Sequence, residues 1–289
     1  MTQFTEQTDG KSLSGKVVLI TGANTGIGLV TARMLAMRGA HVFVACRSAD
    51  KAQSAIAEIQ RTSGNTQVEA LSLDLQDFAS IRLCAQIFLA RGLPLHLLIN
   101  NAGLAGAHGL TKSGFELAFG VNHVGHFLLT QLLLDRLKSS APARIVTVAS
   151  KAHYRAPTID WAAIRQPTHT TAGLHEYGIS KLANILFSAE LARRLAGTGV
   201  TAYSLHPGVV ATDVWREVPG PLRWLIKLLM ISSEKGAATT VYCATSAEAG
   251  KESGLYYDNC KVKKASALAN DPALALELWQ RSEQWVAEQ

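Results

Sequence analysis

The run Lys16-Val17-Val18-Leu19-Ile20-Thr21-Gly22-Ala23-Asn24-Thr25-Gly26-Ile27-Gly28 decides the fold. After Lys16, Val17 to Ile20 form an apolar run rich in β-branched residues and without alternation, the mark of a strand buried on both faces. Behind the glycines, Val30, Met34, Leu35 and Met37 recur at helical spacing until Gly39, so a helix is expected over Gly28 to Arg38. Strand, glycine turn and helix in that order let the backbone approach a pyrophosphate and meet its charge with a helix N-terminus. The spacing is G-x-x-x-G-x-G, and a bare tight turn is the competing reading.

Outward from this unit the same rhythm continues. Strands are expected at His41 to Cys46, Val68 to Leu73, Leu95 to Asn100, Arg144 to Ala149, Val200 to His206 and Leu255 to Tyr257. Helices are expected around Asp50 to Thr62, Asp77 to Arg91, Gly114 to Ser139, Tyr177 to Ala196, Glu234 to Ser246 and Asp271 to Ala287. About seven strands alternating with helices give an α/β fold: one Rossmann-type, doubly wound parallel sheet flanked by helices. The domain is expected over residues 15–289, behind a flexible arm at 1–14. Two connections are long, 151–176 and 207–233, and both leave the carboxyl ends of strands, where open α/β sheets bind ligands.

Composition narrows the function. The 289 residues are 48% hydrophobic and 17% charged, enough for one large core and too apolar for disorder. The net charge of +6 is spread out, with no run of five basic residues. The tightest cluster, Lys261, Lys263 and Lys264, has no interleaved aromatics, so no nucleic-acid partner is expected. Cys46, Cys84, Cys243 and Cys260 are widely separated, which suits free thiols in a reducing compartment. Residues 1–14 are polar and read as neither signal peptide nor membrane anchor, so the expected location is cytoplasmic.

The second strand ends Ala45-Cys46-Arg47, where a carboxylate would accept the ribose hydroxyls of NAD. Arg47, with Ser48 and Lys51 nearby, can instead face a 2′-phosphate, which favours NADP(H); a solvated surface arginine is the alternative. Asp74 after the third strand suits the adenine edge, or simply a helix start. Asn100-Asn101-Ala102-Gly103 suits a sharp turn along the cofactor, or a turn alone.

Tyr177 and Lys181 lie four apart on one expected helix face. A lysine there can lower the phenol's pKa and permit proton exchange with an alcohol or carbonyl. Ser150 ends a strand at the same sheet edge, where its hydroxyl could hold a substrate oxygen or cap a turn. Asn122 falls in an apolar helix and needs a buried partner or water.

Together these residues resemble the short-chain dehydrogenase/reductase family, in its retinol dehydrogenase-like branch. The resemblance runs from Lys16 to about Trp285 and rests on Thr21 to Gly28, Asp74-Leu75, Asn100 to Gly103, Asn122, Ser150, Tyr177-x-x-x-Lys181, and Pro207-Gly208 with Thr212. Ala45-Cys46-Arg47, Val121 to Phe127 and the 27-position gap from Ser150 to Tyr177 carry the likeness to the branch. The resemblance implies Tyr177 as general acid/base, Ser150 as carbonyl-orienting donor, Lys181 as tuner and ribose ligand, and Asn122 as holder of a relay water. It also implies cofactor contacts at Gly22, Asn24, Thr25, Gly26, Ile27, Gly28, Arg47, Ser48, Asp74, Leu75, Asn101, Ala102, Gly103, Pro207, Gly208, Val210 and Thr212. The expected activity is NADP(H)-dependent interconversion of a carbonyl and an alcohol. The apolar N-terminal anchor of the branch's membrane-bound members is not matched by residues 1–14.

The two long loops carry the substrate side. His153, Tyr154, Trp161 and Ile164 lie in the first; Trp215, Leu222, Trp224, Leu225 and Leu229 lie in the second. An apolar lid over a hydrophobic aldehyde or ketone, retinal-like, lipid, steroid or polyketide, is one reading. Packing of Leu222, Leu225 and Leu229 on the domain is a second, and a lipid-touching helix around Trp224 and Lys227 a third. The histidines form no credible ligand pattern, so no metal is expected. A homodimer or homotetramer through the long helices after the fourth and fifth strands is implied by the resemblance. A catalytically idle NADP(H) sensor or scaffold, and a C=C reductase, are the alternative functions.

Overall fold

The computed structural model describes residues 12–208 and 231–288. The expected Val210 and Thr212 contacts, the 221–231 lid apart from Ile231, and most of the N-terminal arm lie outside the described residues. The elements run β1 (Val17–Thr21), α1 (Gly26–Ala36), β2 (His41–Cys46), α2 (Ala49–Ser63), β3 (Val68–Ser72), α3 (Phe78–Ala90) and β4 (Leu97–Asn100). Next come a short α4 (Leu117–Phe119), a π turn at Gly120–Val124, α5 (Gly125–Ser139), β5 (Ala143–Val148), α6 (Leu174–Arg194) and β6 (Val200–His206). The described chain closes with α7 (Ser233–Thr245), β7 (Tyr256–Asp258), β8 (Lys261–Val262) and α8 (Pro272–Ala287).

Among the described residues the sheet has eight strands in the order β3-β2-β1-β4-β5-β6-β7-β8. Every pairing from β3 to β7 is parallel, and β8 adds an antiparallel edge. The strand order reverses between β1 and β4, which opens a crevice beyond their carboxyl ends. β1 shows why both faces read as apolar: Val17 and Leu19 enter one core, Val18 and Ile20 the other. The first core lies under α3, α5, α6 and α8, the second under α1, α2 and α7.

Several boundaries differ from expectation for local reasons. α1 starts at Gly26, within the glycine turn, and α6 starts at Leu174, three residues before Tyr177. Gly173 precedes α6 with φ 60° and no side-chain cap, so the usual Ser/Thr/Asp/Asn start signal is missing. The expected helix over Gly114 to Ser139 begins at Leu117 and carries the π turn inside it. Leu117–Ser139 is, among the described residues, the one helical stretch long and apolar enough to cross a membrane, and 78% of its apolar window is buried inside the fold.

α8 lies across α5 and α6. Trp279 stacks on Phe187 at 6.0 Å and meets Phe127 edge-on at 5.0 Å, while the Arg194 guanidinium sits 4.3 Å from its ring centre. A second copy docking through α5 and α6 would have to accommodate this helix.

Candidate active site

The crevice at the β1–β4 reversal is a cleft of about 740 Å³, within the usual size range of small-molecule sites. At its floor, Gly28 packs so closely that an added Cβ would lie 2.4 Å from the Gly22 carbonyl oxygen and 2.5 Å from Asn101 Nδ2. The turn and the first turn of α1 therefore hold the β4–α4 connection directly against them. Thr25 precedes α1 and makes no side-chain cap, leaving the helix N-terminus open to an anion.

Nearly all the expected contacts meet here. Gly22, Asn24, Thr25, Gly26, Ile27 and Gly28 line the cleft on one wall, and Arg47, Ser48, Asp74 and Leu75 line one end. Ser48 also caps α2, its Oγ accepting from Lys51 N–H at 3.3 Å, and Asp74 Oδ1 accepts from Gln76 N–H at 3.0 Å. Both residues thus fix local backbone and line the cleft, while the cap of α3 is Asp77 and not Asp74. Asn101, Ala102, Gly103, Ser150, Tyr177, Lys181, Pro207 and Gly208 complete the lining. Asn122 is not part of it.

The Asn122 side chain is spent on the backbone beside the cleft. Its Nδ2 donates to the Leu104 carbonyl at 3.0 Å and to Ser180 Oγ at 2.9 Å, and its Oδ1 accepts from Leu104 N–H at 3.0 Å. Ser180 Oγ donates in turn to the Tyr177 carbonyl at 2.8 Å. The π turn that carries Asn122 is bracketed by glycines that approach their neighbours closely. A Cβ on Gly120 would meet Thr111 Cγ2 at 2.5 Å, and one on Gly125 the Leu75 oxygen at 2.6 Å. Single π turns inside helices often mark functional sites.

Tyr177 and Lys181 share one face of α6 as their spacing requires, with Lys181 Nζ 5.6 Å from the Tyr177 ring centre. Burial drives the Tyr177 phenol up to about 12, opposed by a hydrogen bond with Ser150. Burial also pushes the Lys181 ammonium down to about 7. Lys181 Nζ donates to the Val148 carbonyl at 2.9 Å, at the carboxyl end of β5. The lowered phenol pKa expected from the Tyr/Lys spacing is thus not what the protein alone presents, because desolvation outweighs the hydrogen bond with Ser150.

The cleft continues past these groups along residues that spacing did not single out: Leu104, Val121, Lys151, Ala152, Arg155, Leu174, His175 and His206. Their signal was position alone, since they flank Ser150, Tyr177, Asn122 and Pro207 in the chain. Lys151 is held by Asp258 at 3.0 Å, and His206 Nδ1 accepts from Lys151 N–H at 3.3 Å. Behind Ser150, the ring of buried His153 donates from Nδ1 to the Ser150 carbonyl at 2.6 Å and accepts from Ser266 N–H at 3.2 Å. That pair of contacts ties the Ser150 turn to the segment before α8.

Comparison with known proteins agrees with this geometry. The family model for short chain dehydrogenase matches residues 16–221. Retinol dehydrogenase 11 of Homo sapiens is 47% identical over 270 residues, covering 92% of this chain and 84% of its own length. Retinol dehydrogenase 12 of Mus musculus is 48% identical over 275 residues, covering 94% of this chain and 86% of its own. Among solved structures, the Pseudomonas aeruginosa RhlG/NADP active-site complex superposes with a TM-score of 0.68 at 28% identity, over 85% of this chain and 94% of that one.

Proposed function

The chain belongs to the short-chain dehydrogenase family of oxidoreductases, in its retinol dehydrogenase-like part, and on that premise we propose that it is an NADP(H)-dependent enzyme interconverting a carbonyl and an alcohol, reducing a hydrophobic aldehyde or ketone. One observation carries the reading: Ser150, Tyr177 and Lys181 converge in the same cleft as an uncapped helix N-terminus and a glycine turn. The named activity of the retinol dehydrogenase relatives favours a lipophilic substrate. The NADP-bound neighbour agrees with a dinucleotide carrying an extra phosphate.

The residues present fit such a cofactor. The glycine turn and α1 N-terminus would hold the pyrophosphate, Arg47 and Ser48 the 2′-phosphate, Asp74 the adenine edge, and Lys181 the nicotinamide ribose. When bound, a reduced nicotinamide supplies the hydride. The protein's part is to hold the carbonyl and deliver a proton to its oxygen. Ser150 donates to the substrate oxygen, and the Tyr177 hydroxyl protonates it. A phenol held at about 12 stays protonated through the neutral range, which is the form that reduction needs. Lys181 restores the Tyr177 proton balance, and Asn122 fixes the Leu104 backbone and the start of α6 around both. Asn122 thereby acts as a positioning residue.

Arg47 is the test of cofactor choice. Arg47→Asp is expected to weaken NADPH binding about 10- to 100-fold, the scale of one or two charge-assisted hydrogen bonds, and to leave NADH binding nearly unchanged. Fluorescence titration of both nucleotides checks this; equal losses would remove Arg47 from the 2′-phosphate. For the reaction itself, NADPH consumption measured across saturated and unsaturated aldehydes and ketones should reveal turnover with product alcohols. Tight NADPH binding with no turnover of any carbonyl would instead favour a sensor or scaffold, and products reduced at C=C would favour the third reading.

A further inference from the structure

One turn after Asn122, within the helix that packs under the cleft, His126 is wholly buried. Its two ring nitrogens reach different elements: Nδ1 lies 3.0 Å from the Asn122 carbonyl oxygen, and Nε2 lies 2.8 Å from Thr21 Oγ1 at the end of β1. Hydrogen-bond accounting fixes every proton in this network. Thr21 Oγ1 accepts from Asn101 N–H and from Ala102 N–H, both at 2.9 Å, so both of its lone pairs are used. Its own proton then has two destinations, the Ile99 carbonyl at 3.5 Å or His126 Nε2 at 2.8 Å, and the shorter, better contact is the imidazole. Nε2 must therefore be bare, and the ring proton sits on Nδ1, which donates to the Asn122 carbonyl.

An imidazolium does not fit here, because a proton on Nε2 would face an oxygen with no lone pair left. Burial, helped by the charge of Lys181, holds the ring neutral, down to about 4.

We infer that His126 is a positioning residue for the hydride-transfer site: a neutral, single-tautomer bridge that sets the Asn101–Ala102 turn against the π turn carrying Asn122. What it joins explains the consequence. The Asn101–Ala102 turn lies against the glycine loop, since Asn101 Nδ2 donates to the Thr21 carbonyl at 2.8 Å. The Asn122 side chain, on the other end of the bridge, grips Leu104 two residues beyond that turn. A Cβ on Gly103, between them, would lie 3.4 Å from Lys181 Nζ and 3.2 Å from Asn122 Oδ1, so the connection has little slack. Through His126 the cofactor wall and the wall beside Lys181 are held at one separation. The inference rests on the reading that this cleft binds a nicotinamide dinucleotide.

Two substitutions separate the two bonds. The amide nitrogen of an asparagine can take the place of Nδ1, and the amide oxygen of a glutamine that of Nε2. His126→Asn, which keeps the Asn122 contact and frees Thr21, is expected to weaken NADPH binding roughly tenfold, the equivalent of one lost hydrogen bond, with a small change in kcat. His126→Gln, which keeps Thr21 and frees the Asn122 carbonyl, is expected to hold NADPH affinity within about threefold and lower kcat roughly tenfold. In the unaltered protein, ¹⁵N NMR of labelled histidine should show, among the buried rings that do not titrate between about pH 5.5 and 8.5, a ring with its proton on Nδ1 whose signals are absent from the His126→Gln spectrum. Opposite or equal effects of the two substitutions on binding and kcat would overturn the inference. So would a proton on Nε2, or loss of thermal stability alone with both constants unchanged. Should the protein turn over no carbonyl at all, the proposed reaction fails, while the NADPH titrations and the NMR tautomer still decide the role of His126.

Discussion

Tyr177→Phe should lower NADPH-dependent carbonyl reduction by about 10²- to 10⁴-fold, the range of a lost general acid, and leave NADPH affinity within a small factor. The substitution removes one oxygen from a side chain that is otherwise buried, so the α6 packing and the cleft walls persist. Ser150 would still be present to hold the carbonyl oxygen, and the neighbouring ammonium of Lys181 is committed to the Val148 carbonyl. Single-turnover absorbance of bound NADPH separates this from a binding defect. Equal rates for the two proteins would remove Tyr177 from the chemistry.

Lys181→Met should be inactive to a similar degree and yet more stable than the parent protein. The lysine is 3% exposed, and burial pushes its pKa to about 7, below the roughly 10.4 of an unfolded lysine. Between those two values the unfolded chain binds the extra proton, so the parent's stability rises as pH climbs from about 7 toward 10.4, and below 7 the full cost of the buried charge is present. Methionine fills similar volume without that cost. Its stabilising margin should therefore be largest at pH 6 and shrink at pH 9, a rise of a few degrees in Tm at the lower value. Thermal melts at both pH values check the sign, and steady-state rates check the loss of activity. A variant less stable at pH 6 than at pH 9, relative to the parent, would show that the ammonium is favourably held in the protein alone. Function and stability oppose each other at this position, as they do wherever a site needs a charge that folding would rather exclude.

Much of this was legible in the chain because parallel strands covered on both faces leave an unbroken apolar run. β1, β2 and β6 read directly, and the glycine turn marked which helix N-terminus opens at the cleft. The i, i+4 spacing of Tyr177 and Lys181 placed both on one face without reference to anything distant. Other features were closed to such reading for physical reasons. β8 is two residues long, too short for any periodic signal. The π turn at Gly120–Val124 leaves the apolar pattern of its helix intact, so only the close approaches of Gly120 and Gly125 betray it. The direction of the Tyr177 shift depends on how far burial outweighs the hydrogen bond with Ser150, and burial is a property of the assembled core. The distant partners of Asn122 and His126 come from three segments: β1, the turn after β4 and α6.

The central claim is that this cleft passes a hydride to a carbonyl carbon. NADPH carrying deuterium at nicotinamide C4, in the position transferred, should be supplied with a hydrophobic aldehyde and the product analysed by mass spectrometry and NMR. The account requires one deuterium on the carbinol carbon of the product alcohol, at a rate that collapses with Tyr177→Phe. Deuterium on an alkene-derived carbon, or an unlabelled alcohol formed while NADPH is consumed, would contradict it.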